Sequence, residues 1–146
     1  MIKKTVKYTD FDGNEREESY FFHLTKADLL DMATSEDGSL VERIMAIAKE
    51  DDPIKIIPII KQILIKAYGV KSDDGMRFVK KPEDVENFTY TEAFSELYME
   101  LSTNAEKAVE FFEGVIPQFD AETQKQIEDA RKQWEKEQEE ANKDKK

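Results

Sequence analysis

The sequence predicts a mainly α protein (α with small β-hairpins): a compact helical domain with an N-terminal β-hairpin and a C-terminal extended charged helix. Three observations carry that class. Apolar residues recur at helical spacing through most of the chain from Thr25 to Phe112, extended patterns flank only Asp12-Gly13 and the turn at Asp74-Gly75, and the composition changes sharply beyond Asp120. The expected division is 1–119, a globular helical domain, and 120–146, a charged helical or partly disordered tail that frays after Ala141.

Ile2 to Tyr8 alternates loosely and is rich in β-branched residues, and a second extended run covers Glu18 to Leu24. With Asp12-Gly13 between them, these runs read as a β-hairpin closed by a favoured tight turn. Thr25 and Asp28 have the spacing of a capping box before a short helix carrying Ala27, Leu29, Leu30, Met32 and Ala33, which SEDGS at 35–39 ends. Ser39 and Glu42 form a second S-x-x-E box before Leu40, Ile44, Ile47 and Ala48.

Asp52 and Pro53 look like the cap and first residue of a third helix, holding the isoleucine-rich run Ile54 to Ile65 and closed by Tyr68-Gly69. The run is apolar almost all round, so a central buried helix is expected. Its β-branching also suits a strand, but Lys61, Gln62 and Lys66 recur at helical spacing and favour helix. Pro58 either kinks that helix or marks its start.

Val70 to Lys80, turning at Ser72-Asp73-Asp74-Gly75, reads as a small hairpin or a turn with one extended arm, and Pro82 opens an acidic turn, PEDVEN. Thr91 and Glu92 begin a helix with Phe94, Leu97, Tyr98 and Leu101 on one face. Thr103 and Glu106 form a third box before Ala105, Ala108, Val109 and Phe112, and Gly114 and Pro117 stop the globular part. The last 27 residues hold 9 acids and 7 bases. Opposite charges stand four apart at Lys125 and Asp129, Glu128 and Lys132, Arg131 and Glu135, and Lys136 and Glu140, which supports an exposed helix.

Composition narrows function. The chain has 146 residues, 33 acidic and 22 basic, for a net charge of −11, which repels the phosphate backbone and anionic membrane surfaces. Neither nucleic acid nor membrane is expected as a partner, and every apolar run is interrupted before it could span a bilayer or act as a signal segment. Without cysteine there is no disulfide framework, thiolate metal site or cysteine nucleophile, and a reducing cytoplasm is the simplest home.

No catalytic constellation emerges. The start of a calcium loop at Asp10, Asp12 and Asn14 fails at position six, Glu15 instead of glycine, and at position twelve, Phe21 instead of glutamate. His23 is the single histidine, the six serines include no nucleophile elbow, and the glycine-rich phosphate-binding patterns are missing. Adjacent acids such as Glu17-Glu18, Asp51-Asp52 and Asp73-Asp74 point apart and do not make a hydrolytic pair. The chain is read as no enzyme, with no cofactor and no metal.

Binding is the remaining chemistry. Ile127, Ala130, Trp134 and Ala141 follow at steps of three, four and seven and draw a narrow apolar stripe along the charged tail, so Ile127, Ala130 and Trp134 are the candidate partner-binding residues. The stripe serves either a partner or the protein's own domain, and both readings stay open. Met32, Met45, Met76 and Met99 read as core filler before they read as an adaptable groove.

Three segments carry a resemblance: Tyr68-Gly-Val-Lys-Ser-Asp-Asp-Gly-Met-Arg-Phe-Val79, then Phe88-Thr-Tyr-Thr-Glu-Ala-Phe-Ser-Glu-Leu-Tyr-Met-Glu-Leu101, then Ala108-Val-Glu-Phe-Phe-Glu-Gly-Val-Ile-Pro117. In order and spacing they resemble the tail assembly chaperones of long-tailed siphophages. The resemblance implies a protein that binds the long, aggregation-prone tape measure protein. It also implies work alongside tail tube subunits in the host cytoplasm and departure before the virion is finished. Many such proteins also have a longer frameshifted form, and the Lys143-Asp-Lys-Lys146 ending is compatible with a slippery message. Repetitive clients favour multivalent binders, so self-association is expected. The alternative is a structural or adaptor protein of the tail or head-tail junction, which would remain in the particle. A DNA mimic would need a contiguous acidic face, whereas acids and bases alternate in the tail.

Overall fold

The computed structural model describes residues 1–116 and 120–144. Among them, strands β1 (Ile2–Thr9) and β2 (Glu15–Phe22) precede helices α1 (Lys26–Ala33) and α2 (Gly38–Glu50). A 3-10 segment (Pro53–Ile59) leads into α3 (Ile60–Ala67), followed by β3 (Tyr68–Lys71), β4 (Phe78–Val79), α4 (Pro82–Thr89), α5 (Glu92–Thr103), α6 (Ala105–Val115) and α7 (Ala121–Asp144). Two compact units result: Met1–Leu24 with Pro53–Ile116, and Thr25–Asp52 with the described part of Pro117–Lys146. Helix α7 falls in one unit with α1 and α2, where Arg131 reaches Ala33 O, Ser35 O and Glu42.

In the first unit the four strands form one antiparallel sheet in the order β1-β2-β3-β4. Ile2 pairs with Phe22 and Thr9 with Glu15, so the expected hairpin forms with its strands shifted toward the turn. The turn is closed by the Asp10 carboxylate, whose Oδ1 accepts from the Asp12 and Asn14 amides at 3.0 and 2.9 Å while Oδ2 meets Arg16. The Asp10 oxygens, the first of those that suggested a calcium loop, are thus engaged by the hairpin itself. The second hairpin also forms: Gly75 takes the left-handed φ of +74° that its turn requires, and Ser72 Oγ accepts from the Arg77 amide at 3.0 Å.

The sheet's inner residues and the helices share an aromatic core. Tyr68 stacks on Phe88 with centroids 4.4 Å apart, and Phe22 meets Phe111 edge-on at 5.4 Å. Gly69 is needed here because a Cβ would stand 2.6 Å from the Phe78 ring. Where β2 ends, the His23 amide bonds to Ala67 O and the Leu24 amide to Val115 O, which satisfies carbonyls at the C-termini of α3 and α6. The single histidine also packs edge-on against Phe78.

The isoleucine-rich run is neither one kinked helix nor a helix starting at Pro58. It is a 3-10 helix through Ile59 and an α-helix from Ile60, since Pro58 cannot donate the i−4 bond an α-helix through that turn would need. Ile56, Ile59, Ile60, Ile63 and Leu64 are buried as expected, while Ile54 lies 45% exposed, so burial is one-sided at the start of the run. PEDVEN is the first part of a helix, α4, with Pro82 at its first turn where a missing N–H costs nothing.

Caps separate the correct expectations from the incorrect ones. Thr25 and Asp28 form the reciprocal box, and Thr91 accepts from the Phe94 amide. The Thr103 box does not form: Asn104 caps α6 by accepting from the Lys107 amide, and the Thr103 hydroxyl donates back to Met99 O. Asparagine is the better cap, so α6 starts one residue late, and its buried face is Ala108, Phe111, Phe112 and Val115, with Ala105 exposed. Helix α6 also runs through Gly114, which lies against Ile2; Pro117 is outside the described residues.

In the second unit, α1 packs against both α2 and α7. The Ser39–Glu42 box is absent: α2 begins at Gly38, so Ser39 is already inside the helix, and Glu42 turns to Arg131 instead. Leu29, Met32, Val41, Ile44 and Met45 are buried in this unit, and Asp51 closes α2 in the left-handed conformation.

Candidate partner-binding site

Helix α7 begins where the composition changes, because Asp120 caps it: Oδ1 accepts from the Thr123 amide at 2.9 Å. That bond, with the Thr123 side chain, holds the Asp120 carboxyl below the usual range. From this start the 3.6-residue period carries Ile127, Arg131 and Trp134 around one side of the helix.

Ile127 is 2% exposed, and Ala130 and Trp134 are half-buried. Of the expected stripe, the structure thus places Ile127 inside the protein's own second unit and leaves the exposed Ala141 apart from it. Ile127 lines a cavity of about 370 Å³ between α2 and α7, together with Val41, Met45 and Ala46, and with Lys49 and Glu128 at its polar margin. Met32 and Met45 fill the core as expected, but Met76 and Met99 are 83% and 59% exposed and do not.

The residue that sequence reasoning missed is Arg131. Its guanidinium Nη1 donates to Ser35 O at 3.0 Å and Ala33 O at 3.3 Å, at the end of α1 and in the turn after it. Nε donates to Glu42 Oε1 at 3.3 Å and meets Glu135 Oε1 at 2.9 Å, the one expected i,i+4 pair that is observed among the described residues. The same group lies over the Trp134 ring, 4.8 Å from its centroid. Gly38 makes this possible, because a Cβ there would stand 2.1 Å from Nη1. The only available signal was Gly38 itself, a poor helix former at a helix start whose reason is the close approach of another group.

The cavity joins apolar walls to a margin of both charge signs, which suits the apolar face of a helix with polar flanks. Among the described residues no three His, Asp or Glu converge as a metal site needs, and no helix is long and apolar enough to cross a membrane.

A family model described as phage tail assembly chaperone matches residues 1–146, the whole chain. No curated protein and no solved structure matches it.

Proposed function

The chain belongs to the phage tail assembly chaperone family, and from that premise we propose that it binds the tape measure protein and holds it soluble while tail tube subunits assemble around it. The protein acts in the host cytoplasm, performs no catalysis and leaves before the virion is complete. The observation that carries this reading is the family match across the full length of the chain.

The α2–α7 cavity supports a place for the client. With Ile127 already buried, the contact rests on the half-exposed Ala130 and Trp134 and on the cavity mouth at the exposed Ala46. An amphipathic client helix would seat apolar side chains there at i, i+3 and i+4 spacing.

Co-expression with the tape measure protein, followed by a solubility and pull-down assay, tests the reading. A soluble complex should form, and Ala46→Arg or Trp134→Ala should weaken it about tenfold, the loss of one anchor side chain. Both substitutions leave Ile127 in place, which deletion of 120–146 would not. A client that remains insoluble with nothing co-purifying contradicts the proposal.

A further inference from the structure

We infer that the outer edge of β1 is a second binding surface, which takes an extended acidic segment of another protein as an added strand. In an antiparallel pair, residues alternate between those that exchange hydrogen bonds with the neighbouring strand and those whose N–H and C=O point away from it. The bond from the Asp10 amide to Asn14 O, with Thr9 opposite Glu15, fixes the phase of that alternation. Ile2, Lys4, Val6 and Tyr8 bond to β2, and Lys3, Thr5, Lys7 and Thr9 turn their backbone groups outward. The same phase predicts that β2 uses Phe21 and His23 on its other side, and Phe21 does pair with Gly69 while the His23 amide does reach Ala67.

β1 is an edge strand of the sheet, and all four outward residues are exposed. The run from Lys3 to Thr9 spans about 20 Å, enough for a guest strand of seven or eight residues.

Charge selects the guest. In a chain of net charge −11, β1 holds Lys3, Lys4 and Lys7 and no acid. Its existing neighbour β2 already follows the complementary rule, with Glu15, Glu17 and Glu18, and Lys7 stands 4.0 Å from the Glu17 directly opposite. A second copy offering its own β1 would set three lysines beside three, the usual device by which edge strands avoid each other. An acidic strand meets opposite charge instead. This surface lies in the first unit and does not depend on the α2–α7 cavity or on the identity of its client.

The probe is a capped eight-residue peptide alternating glutamate with valine, titrated into the isotope-labelled full chain. Free protein should exchange the amides of Lys3, Thr5, Lys7 and Thr9 rapidly, and the peptide should shift and protect those four. Thr5→Pro removes an outward N–H without a ladder bond to β2 and should weaken binding about tenfold or more. A peptide with lysine in place of glutamate should not bind. Should Thr5→Pro fail to fold, the exposed double change Lys3→Glu, Lys7→Glu decides by the same loss. The inference is overturned if these amides are protected in the free monomer, if shifts fall elsewhere, if the lysine peptide binds equally, or if the edge is consumed by a dimer that Thr5→Pro dissolves.

Discussion

Replacing Gly38 by alanine puts a methyl carbon 2.1 Å from Arg131 Nη1 and 2.3 Å from Cζ, so the guanidinium must leave. It then loses its bonds to Ala33 O and Ser35 O, its contact with Glu42 and its place over Trp134. The Arg131 side chain is only 16% exposed, so the two carbonyl bonds are partly shielded from water, and Arg131→Ala should cost about 2–3 kcal/mol. Gly38→Ala forfeits the same contacts but regains up to about 1 kcal/mol of helix propensity, for a net loss of about 1–2 kcal/mol. Once Arg131 is absent, the added methyl has nothing to displace, so in the Arg131→Ala background Gly38→Ala should be neutral or stabilising. The coupling between the two sites is then about 2 kcal/mol. Urea unfolding followed by the fluorescence of Trp134, the chain's only tryptophan and in contact with Arg131, reads all four proteins. Additive losses in the double variant would refute the claim that the glycine exists to admit the guanidinium.

Two further predictions concern local devices. Asn104→Ala should cost about 1 kcal/mol and Thr103→Ala clearly less, measured by thermal unfolding, because asparagine is the cap and the threonine only bonds back to its own helix. The Asp10 carboxyl is held below its usual 3.8 by Arg16 first and by the Asn14 and Asp12 amides after it. A depressed carboxylate stabilises the fold above its unfolded value, and that contribution is lost as pH falls from about 3.8 through the lower folded value. Carboxyl NMR should show Asp10 titrating below an unstructured aspartate, with the hairpin amides moving in the same window, and Asp10→Asn should erase the effect. An ordinary midpoint would remove the turn from the list of acid-sensitive features.

What the sequence disclosed follows the range of the interaction. The Asp10–Asn14 turn, the Thr25 box and the Ser72–Gly75 turn are set within a few residues, and each can be read from spacing. The errors arose where two local signals competed or a distant group intervened. Asn104 displaced Thr103 because the two caps differ by one residue, and Pro58 divided an isoleucine run whose apolarity said only that it would be buried. Glu42 left its expected box because Arg131, nearly ninety residues on, lies within reach. The candidate stripe marks the reach of spacing: it places Ile127 and Trp134 toward one side of α7 but leaves open whether that side meets a partner or the chain's own residues.

The most direct test of the chaperone account is to follow the chain through assembly by quantitative mass spectrometry, comparing complexes captured before tube completion with purified particles. The account predicts that it accompanies the tape measure protein early and is missing from the finished virion. A fixed stoichiometric amount in purified particles would contradict it and identify a structural component of the tail.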